Sequence, residues 1–228
     1  MNKLPVYKTE GIILKTADWG DLDRLLTIYT RGYGKIRARA ISARKKGSKL
    51  NGLLQNFTYG KFLLAKSKTI DIITDLEVAD SYQYLHSNLA NLGYAFYFAE
   101  LVDKLVTGQE RDDDLWRLIL RAFEVLNNPP TPLCARGAEE KEFCVHVKSS
   151  LTPLKKGGAG GLNLSKLRVL FEDKLVEFLG QPSLKLWLAS HPSLKIRTAS
   201  HFNPAQRLDY LQSLAGERIN SQKFLMQL

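Results

Sequence analysis

Residues 6 to 78 alternate apolar and polar positions with period two, in short runs separated by turn residues, and this pattern predicts five strands. They span about Lys8 to Lys15, Arg24 to Tyr29, Gly34 to Ile41, Thr58 to Ala65 and Thr69 to Val78. Trp19-Gly20-Asp21, Arg31-Gly32-Tyr33-Gly34 and Lys46-Gly47-Ser48 supply breaks between them. Five strands in about seventy residues fit a small OB-type barrel, whereas an immunoglobulin-type sandwich needs about seven. The third strand is sided: Lys35, Arg37 and Arg39 fall on one face, and Ile36, Ala38 and Ile41, the last slipping out of register, supply the apolar one.

From Ser81 the spacing of apolar residues becomes helical. Leu85, Leu89, Leu92, Phe96 and Ala99, joined by Leu101, Val102 and Leu105, form a wide stripe that ends at Thr107-Gly108. A second helix is predicted from about Asp112 to Asn127, with Leu115, Ile119, Leu120 and Phe123 inward and Pro129-Pro130 beyond its end. A third covers Ser165 to Leu179, packing Leu167, Leu170, Phe171, Leu175 and Phe178, and a fourth begins at Asn203-Pro204 and carries Leu208, Leu211 and Leu214. Pro129 to Gly161 has neither period and reads as a long loop. The predicted fold class is therefore α+β, with a five-stranded OB-fold barrel over 1–80 and a helical domain over 81–228, interrupted by an irregular insertion at about 129–161.

The formal charge of +10 is unevenly divided: the net charge is +7 over residues 1–80, −4 over 81–145 and +7 over 146–228. Arg31 to Ile70 holds eleven Lys or Arg and no acid, which is unlike a surface kept soluble by interspersed charges and points to a polyanion site. Lys35, Arg37 and Arg39 stand about 7 Å apart along an extended strand, close to the phosphate spacing of an extended single strand. Arg44, Lys45, Lys46 and Lys49 continue the set on the following loop. Trp19, Tyr33 and Tyr59 are candidates for stacking on bases, a contact that tolerates any base. The longest apolar run, near Tyr94 to Ala99, is too short to cross a bilayer, and the first residues lack the apolar core of a signal peptide, so the expected location is the cytoplasm. Two cysteines, Cys134 and Cys144, neither make a disulfide framework nor complete a zinc site, and no cofactor is implied.

Several ordered segments resemble the bacterial RecO family of recombination mediators. They are Gly11-Ile12-Ile13-Leu14, Asp18-Trp19-Gly20-Asp21-Leu22-Asp23-Arg24, Gly34-Lys35-Ile36, and the basic run from Ala43 to Leu50 with Gly52, Leu54 and Phe57 behind it. Phe171 to Gly180 is similar to a family helix that ends in Leu-Gly, and Ile219 to Leu225 to its C-terminal end. The resemblance implies binding of single- and double-stranded DNA, annealing of complementary strands and assistance to RecA loading, without catalysis. It also implies RecR and the acidic tail of the single-strand-binding protein as partners. The tail would dock on the helical domain, where Lys185, Lys195 and Arg197 are candidate contacts.

The chain departs from the family at two places. Many members carry two cysteine pairs for zinc after the Leu-Gly helix, whereas Gln181 to Phe202 contains no cysteine, so a helical domain without that zinc finger is expected. Cys134, Cys144 and His146 lie in the 129–161 insertion, at a spacing unlike a zinc finger, and read as loop residues. Two other readings of the chain compete. An RNA-binding OB protein would use the same cations. A metal-dependent nuclease would draw on Asp18, Asp21 and Asp23 or on Asp112 to Asp114, although the first set suits a polar turn and the second the positive end of a helix.

Overall fold

A computed structural model describes residues 5–127, 164–190, 204–221 and 225. Strands β1 (Val6–Trp19), β2 (Asp23–Thr30), β3 (Gly34–Ala40), β4 (Tyr59–Ala65) and β5 (Asp71–Asp80) come first. Helices α1 (Gln83–Ser87), α2 (Leu89–Leu105), α3 (Asp113–Asn127), α4 (Leu164–Phe178), α5 (Leu184–Ala189) and α6 (Pro204–Ala215) follow. The predicted insertion at 129–161, with Cys134, Cys144 and His146, lies outside the described residues, as do Lys195 and Arg197.

The sheet closes in the order β1-β2-β3-β5-β4, as expected for an OB barrel. β1 makes this possible because it is long enough to serve two neighbours: Val6 to Ile12 pair with β4, and Gly11 to Trp19 pair with β2. A register shift between Ile13 and Lys15 bends it from one partner to the other. Closure is weakest between β3 and β5, which run parallel and share only the pairs Ala38 with Asp71 and Arg39 with Ile72. Ile13, Leu26, Ile28, Ile36, Ala38, Phe62, Leu64 and Ile73 fill the interior, with Leu50 and Leu54 plugging it from the loop after β3.

A second apolar cluster joins the helices to part of the barrel's outer surface. Ile12, Leu14 and Tyr29 belong to it, together with Phe57 and the inward residues of α2, α3 and α4. Tyr29 and Tyr59 lean on Trp116 of α3, with ring centroids 6.4 and 6.1 Å apart. Gly34 admits the loop before α3: its φ is +61°, and a Cβ there would stand 2.4 Å from the Glu110 carbonyl oxygen. The helices thus cover one stretch of the outer face of β1 and β2 and leave the rest open.

Beneath the helical surface lies a buried charge cluster. Glu172 is 1% exposed, accepts from Tyr97 Oη at 2.7 Å and Arg168 Nε at 2.6 Å, and meets Arg207 Nη1 at 3.3 Å. Arg207 also binds Asp173 Oδ1 through both terminal nitrogens at 2.8 Å. The clustering gives each buried charge an opposite partner, which such burial requires.

Four sequence expectations are corrected. The helix predicted to run unbroken from Ser81 divides at Asn88, whose extended backbone and side-chain bond to the Asn91 amide cap α2. Leu89 and Phe96, placed on its packed stripe, are exposed, because α3 and α4 dock on a rotated face. Leu170 of α4 is exposed in the same way. Ile41 is 50% exposed: it shares the outward parity of Arg37 and Arg39, and the chain turns away at Ser42, whose φ is +53°. The short α5, between Gly180 and the next described segment, had no predicted counterpart.

Candidate nucleic-acid interface

Antiparallel register decides which cations share a surface. β3 points Ile36, Ala38 and Ala40 into the barrel and Lys35, Arg37 and Arg39 outward. Thr27 of β2 pairs with Arg37 on one side and with Lys15 on the other, so Lys15, Thr27 and Arg37 form one row across the outer face. Ala17, Leu25 and Arg39 form the next. A groove of about 370 Å³ runs over these strands, lined by Lys15, Thr27, Lys35 and Arg37 from the barrel and by Asp103 from α2. It occupies the part of the outer face that the helices leave uncovered.

The basic loop continues from the same end of the barrel. Its first turn is clamped to the β1–β2 hairpin: the Ser42 amide donates to Asp23 Oδ1 at 2.7 Å, and the Arg44 amide to the Leu22 carbonyl at 2.8 Å. Further on, Leu50 and Leu54 enter the barrel core, and Phe57, at φ +68° and fully buried, enters the helical cluster. A non-glycine residue in that region is strained, and the surrounding aromatic rings hold it there. These anchors leave Arg44, Lys45, Lys46 and Lys49 exposed between them.

Ion pairing separates the seven predicted cations into two groups. Arg39 binds Asp23 through Nε at 2.7 Å and again through a terminal nitrogen. The Ser42 amide first, then Arg39, hold the Asp23 carboxyl below the usual range. Arg44 Nη1 lies 3.4 Å from Asp18, and Lys35 donates to the Asp103 carbonyl and stands 3.8 Å from its carboxylate. Burial pulls the Lys35 ammonium below the ordinary lysine range, and Asp103 opposes that pull. Arg37, Lys45, Lys46 and Lys49 make no ion pair with a described carboxylate, and neither does Lys15.

The three candidate aromatics do not come together. Trp19 is 44% exposed at the tip of the β1–β2 hairpin, with Leu22 exposed beside it, at the end where Arg44 begins the basic loop. Tyr33 is exposed at the opposite end of the strands, tilted over Tyr7 at 4.6 Å. Tyr59 is half-buried against Trp116. Lys15 and Asp103 are the charged members of the groove that the sequence did not single out. The first had only its charge as a signal, because Lys15 shares the parity of the inward Ile13 and turns outward beside Thr27 only through the register shift between them. The second had none, since 68 residues separate it from Lys35.

Most of the acids considered for metal chemistry have other partners. Asp112 accepts from the Leu115 and Asp114 amides at the start of α3, at 2.9 and 3.0 Å, while Asp113 pairs with Arg111 and Asp114 with Arg117. Among the described residues, no three His, Cys, Asp or Glu side chains are grouped so as to hold a metal ion. No helix among them is long and apolar enough to cross a membrane.

Fold and site together define a class: an OB barrel backed by helices, with a cationic groove on its uncovered face. Comparison with known proteins makes the class specific. A family model described as the recombination protein O N-terminal region matches residues 1–82, and one for the C-terminal region matches 86–137. The DNA repair protein RecO of Pelotomaculum thermopropionicum is 31% identical over 186 residues, covering 76% of this chain and 73% of the relative. That of Bacillus subtilis is 33% identical, covering 62% and 60%, and that of a Roseiflexus species 37%, covering 54% and 43%. The chain belongs to the RecO family of DNA repair and recombination proteins.

Proposed function

We propose that the chain binds single- and double-stranded DNA through the outer face of β1 to β3 and the loop from Arg44 to Lys49, and helps complementary strands anneal. The observation that carries this reading is the continuity of Lys15, Arg37, Lys45, Lys46 and Lys49, cations without a carboxylate partner among the described residues, with the exposed Trp19 at one end of the barrel. Annealing needs no bond chemistry. Two strands repel each other, and a surface that screens phosphates while leaving base edges free lowers the cost of bringing them together. Contacts confined to phosphates give affinity without sequence preference.

In this reading the barrel, residues 1–80, handles DNA, and residues 81–228 receive protein partners. Those partners are RecR and the acidic tail of the single-strand-binding protein, and the outcome is loading of RecA in recombinational repair in the cytoplasm, at the nucleoid. Membership of the RecO family supports this assignment. The test is annealing of labelled complementary oligonucleotides by the wild type and by a K15A/R37A/K45A/K46A variant. The variant should anneal at the uncatalysed rate. Equal rates would remove the proposed surface, cleavage of the strands with magnesium would favour a nuclease, and a marked preference for RNA would favour RNA binding.

A further inference from the structure

The groove over β1 to β3 is cationic on its barrel side only. α2 contributes a carboxylate to its lining, Asp103, which stands 3.8 Å from the Lys35 ammonium. Glu217 also acts on Lys35, but it is already held by Lys104 at 3.7 Å. Lys15 and Arg37, which line the same groove, pair with no acid among the described residues. One of the three groove cations is therefore occupied by an anion that belongs to the protein, at a position where a passing phosphate would bind.

We propose that Asp103 is an affinity-setting residue of this interface: its carboxylate takes the place of a phosphate at Lys35, and an entering strand must compete with it. This rests on the reading of the groove as a DNA interface. The consequence is reversible holding. A strand gains full contact at Lys15 and Arg37, gains little at Lys35, and is repelled by the carboxylate, so it binds firmly enough to be paired and loosely enough to be handed on. The position suits adjustment of charge, because an acid near the C-terminal end of a helix faces the negative pole of its dipole, and a neutral replacement there is tolerated.

The experiment measures binding of a labelled single strand across a salt series for the wild type, D103N, D103E, R37A, and D103N combined with K35A. Asn keeps the shape, an acceptor oxygen and the backbone carbonyl bonded by Lys35, and removes only the charge. At a phosphate distance of about 7 Å and an effective dielectric between about 30 and 80, removing that charge should tighten binding roughly three- to fifteenfold at low salt. The salt slope should steepen by about 0.7, because Lys35 then releases a counterion of its own. D103E should bind like the wild type, and the steepening should vanish when Lys35 is Ala. Should D103N not fold, D103S carries the same expectation. D103N binding no tighter than wild type, while R37A weakens binding, overturns the role of Asp103. Loss of any effect from R37A overturns the interface itself, a distinguishable result.

Discussion

The salt dependence of DNA binding measures how many cations the interface presents, and the ion pairs of the structure set the expected number. Among the described residues, the groove, the row beside it and the loop carry eight basic side chains, but Lys35, Arg39 and Arg44 already face Asp103, Asp23 and Asp18. The other five meet no carboxylate among the described residues. Each neutralised phosphate contributes about −0.7 to the slope of log affinity against log salt for a single strand and about −0.9 for duplex, so five give about −3.5 and −4.5. Between 50 and 200 mM salt, single-strand affinity should then fall about 130-fold, whereas eight free cations would make it fall about 2,000-fold. Fluorescence anisotropy of a labelled oligonucleotide over that range distinguishes the two. The K15A/R37A/K45A/K46A variant leaves one such cation, with a slope near about −0.7 and a drop of about threefold. A slope unchanged by these four replacements would refute the placement of the interface.

Three further outcomes are expected. Trp19→Ala should weaken single-strand binding by about 1–3 kcal/mol with an unaltered salt slope, since stacking carries no charge; a change in slope without loss of low-salt affinity would contradict the stacking role. Glu172→Gln should lower stability by about 3 kcal/mol, because Arg168 and Arg207 lose a buried counter-charge while Asp173 still holds Arg207; a loss below about 1 kcal/mol in urea unfolding would show that the cluster relaxes. Burial raises the pKa of Tyr97 above the ordinary phenol value, and the Glu172 charge raises it further. The folded state therefore keeps a proton that the unfolded chain gives up, so this contribution to stability is whole below about pH 10 and is lost as pH rises above it. Ultraviolet difference titration should show Tyr97 ionising only as the protein unfolds, and ionisation with intact circular dichroism would contradict its burial.

The strands and the cationic face of β3 were legible in the sequence because both are local properties of the backbone. Successive side chains of a strand point to opposite faces, so Lys35, Arg37 and Arg39 had to share a side wherever the strand was placed. The apolar spacing of α3 likewise marked Leu115, Ile119 and Phe123 as inward before any partner was known. Phase was less secure where a helix is apolar around most of its circumference, as α2 is, and there Leu89 and Phe96 were assigned to the wrong side. What only the tertiary structure decided is which charges meet. Asp23 reaches Arg39 across a hairpin, Asp103 reaches Lys35 from α2, and Lys15 joins Arg37 through a strand between them. Periodicity fixes a side chain's face within its own element, but pairing between elements depends on register and docking, and Coulomb interactions at 3 to 4 Å follow from that placement alone.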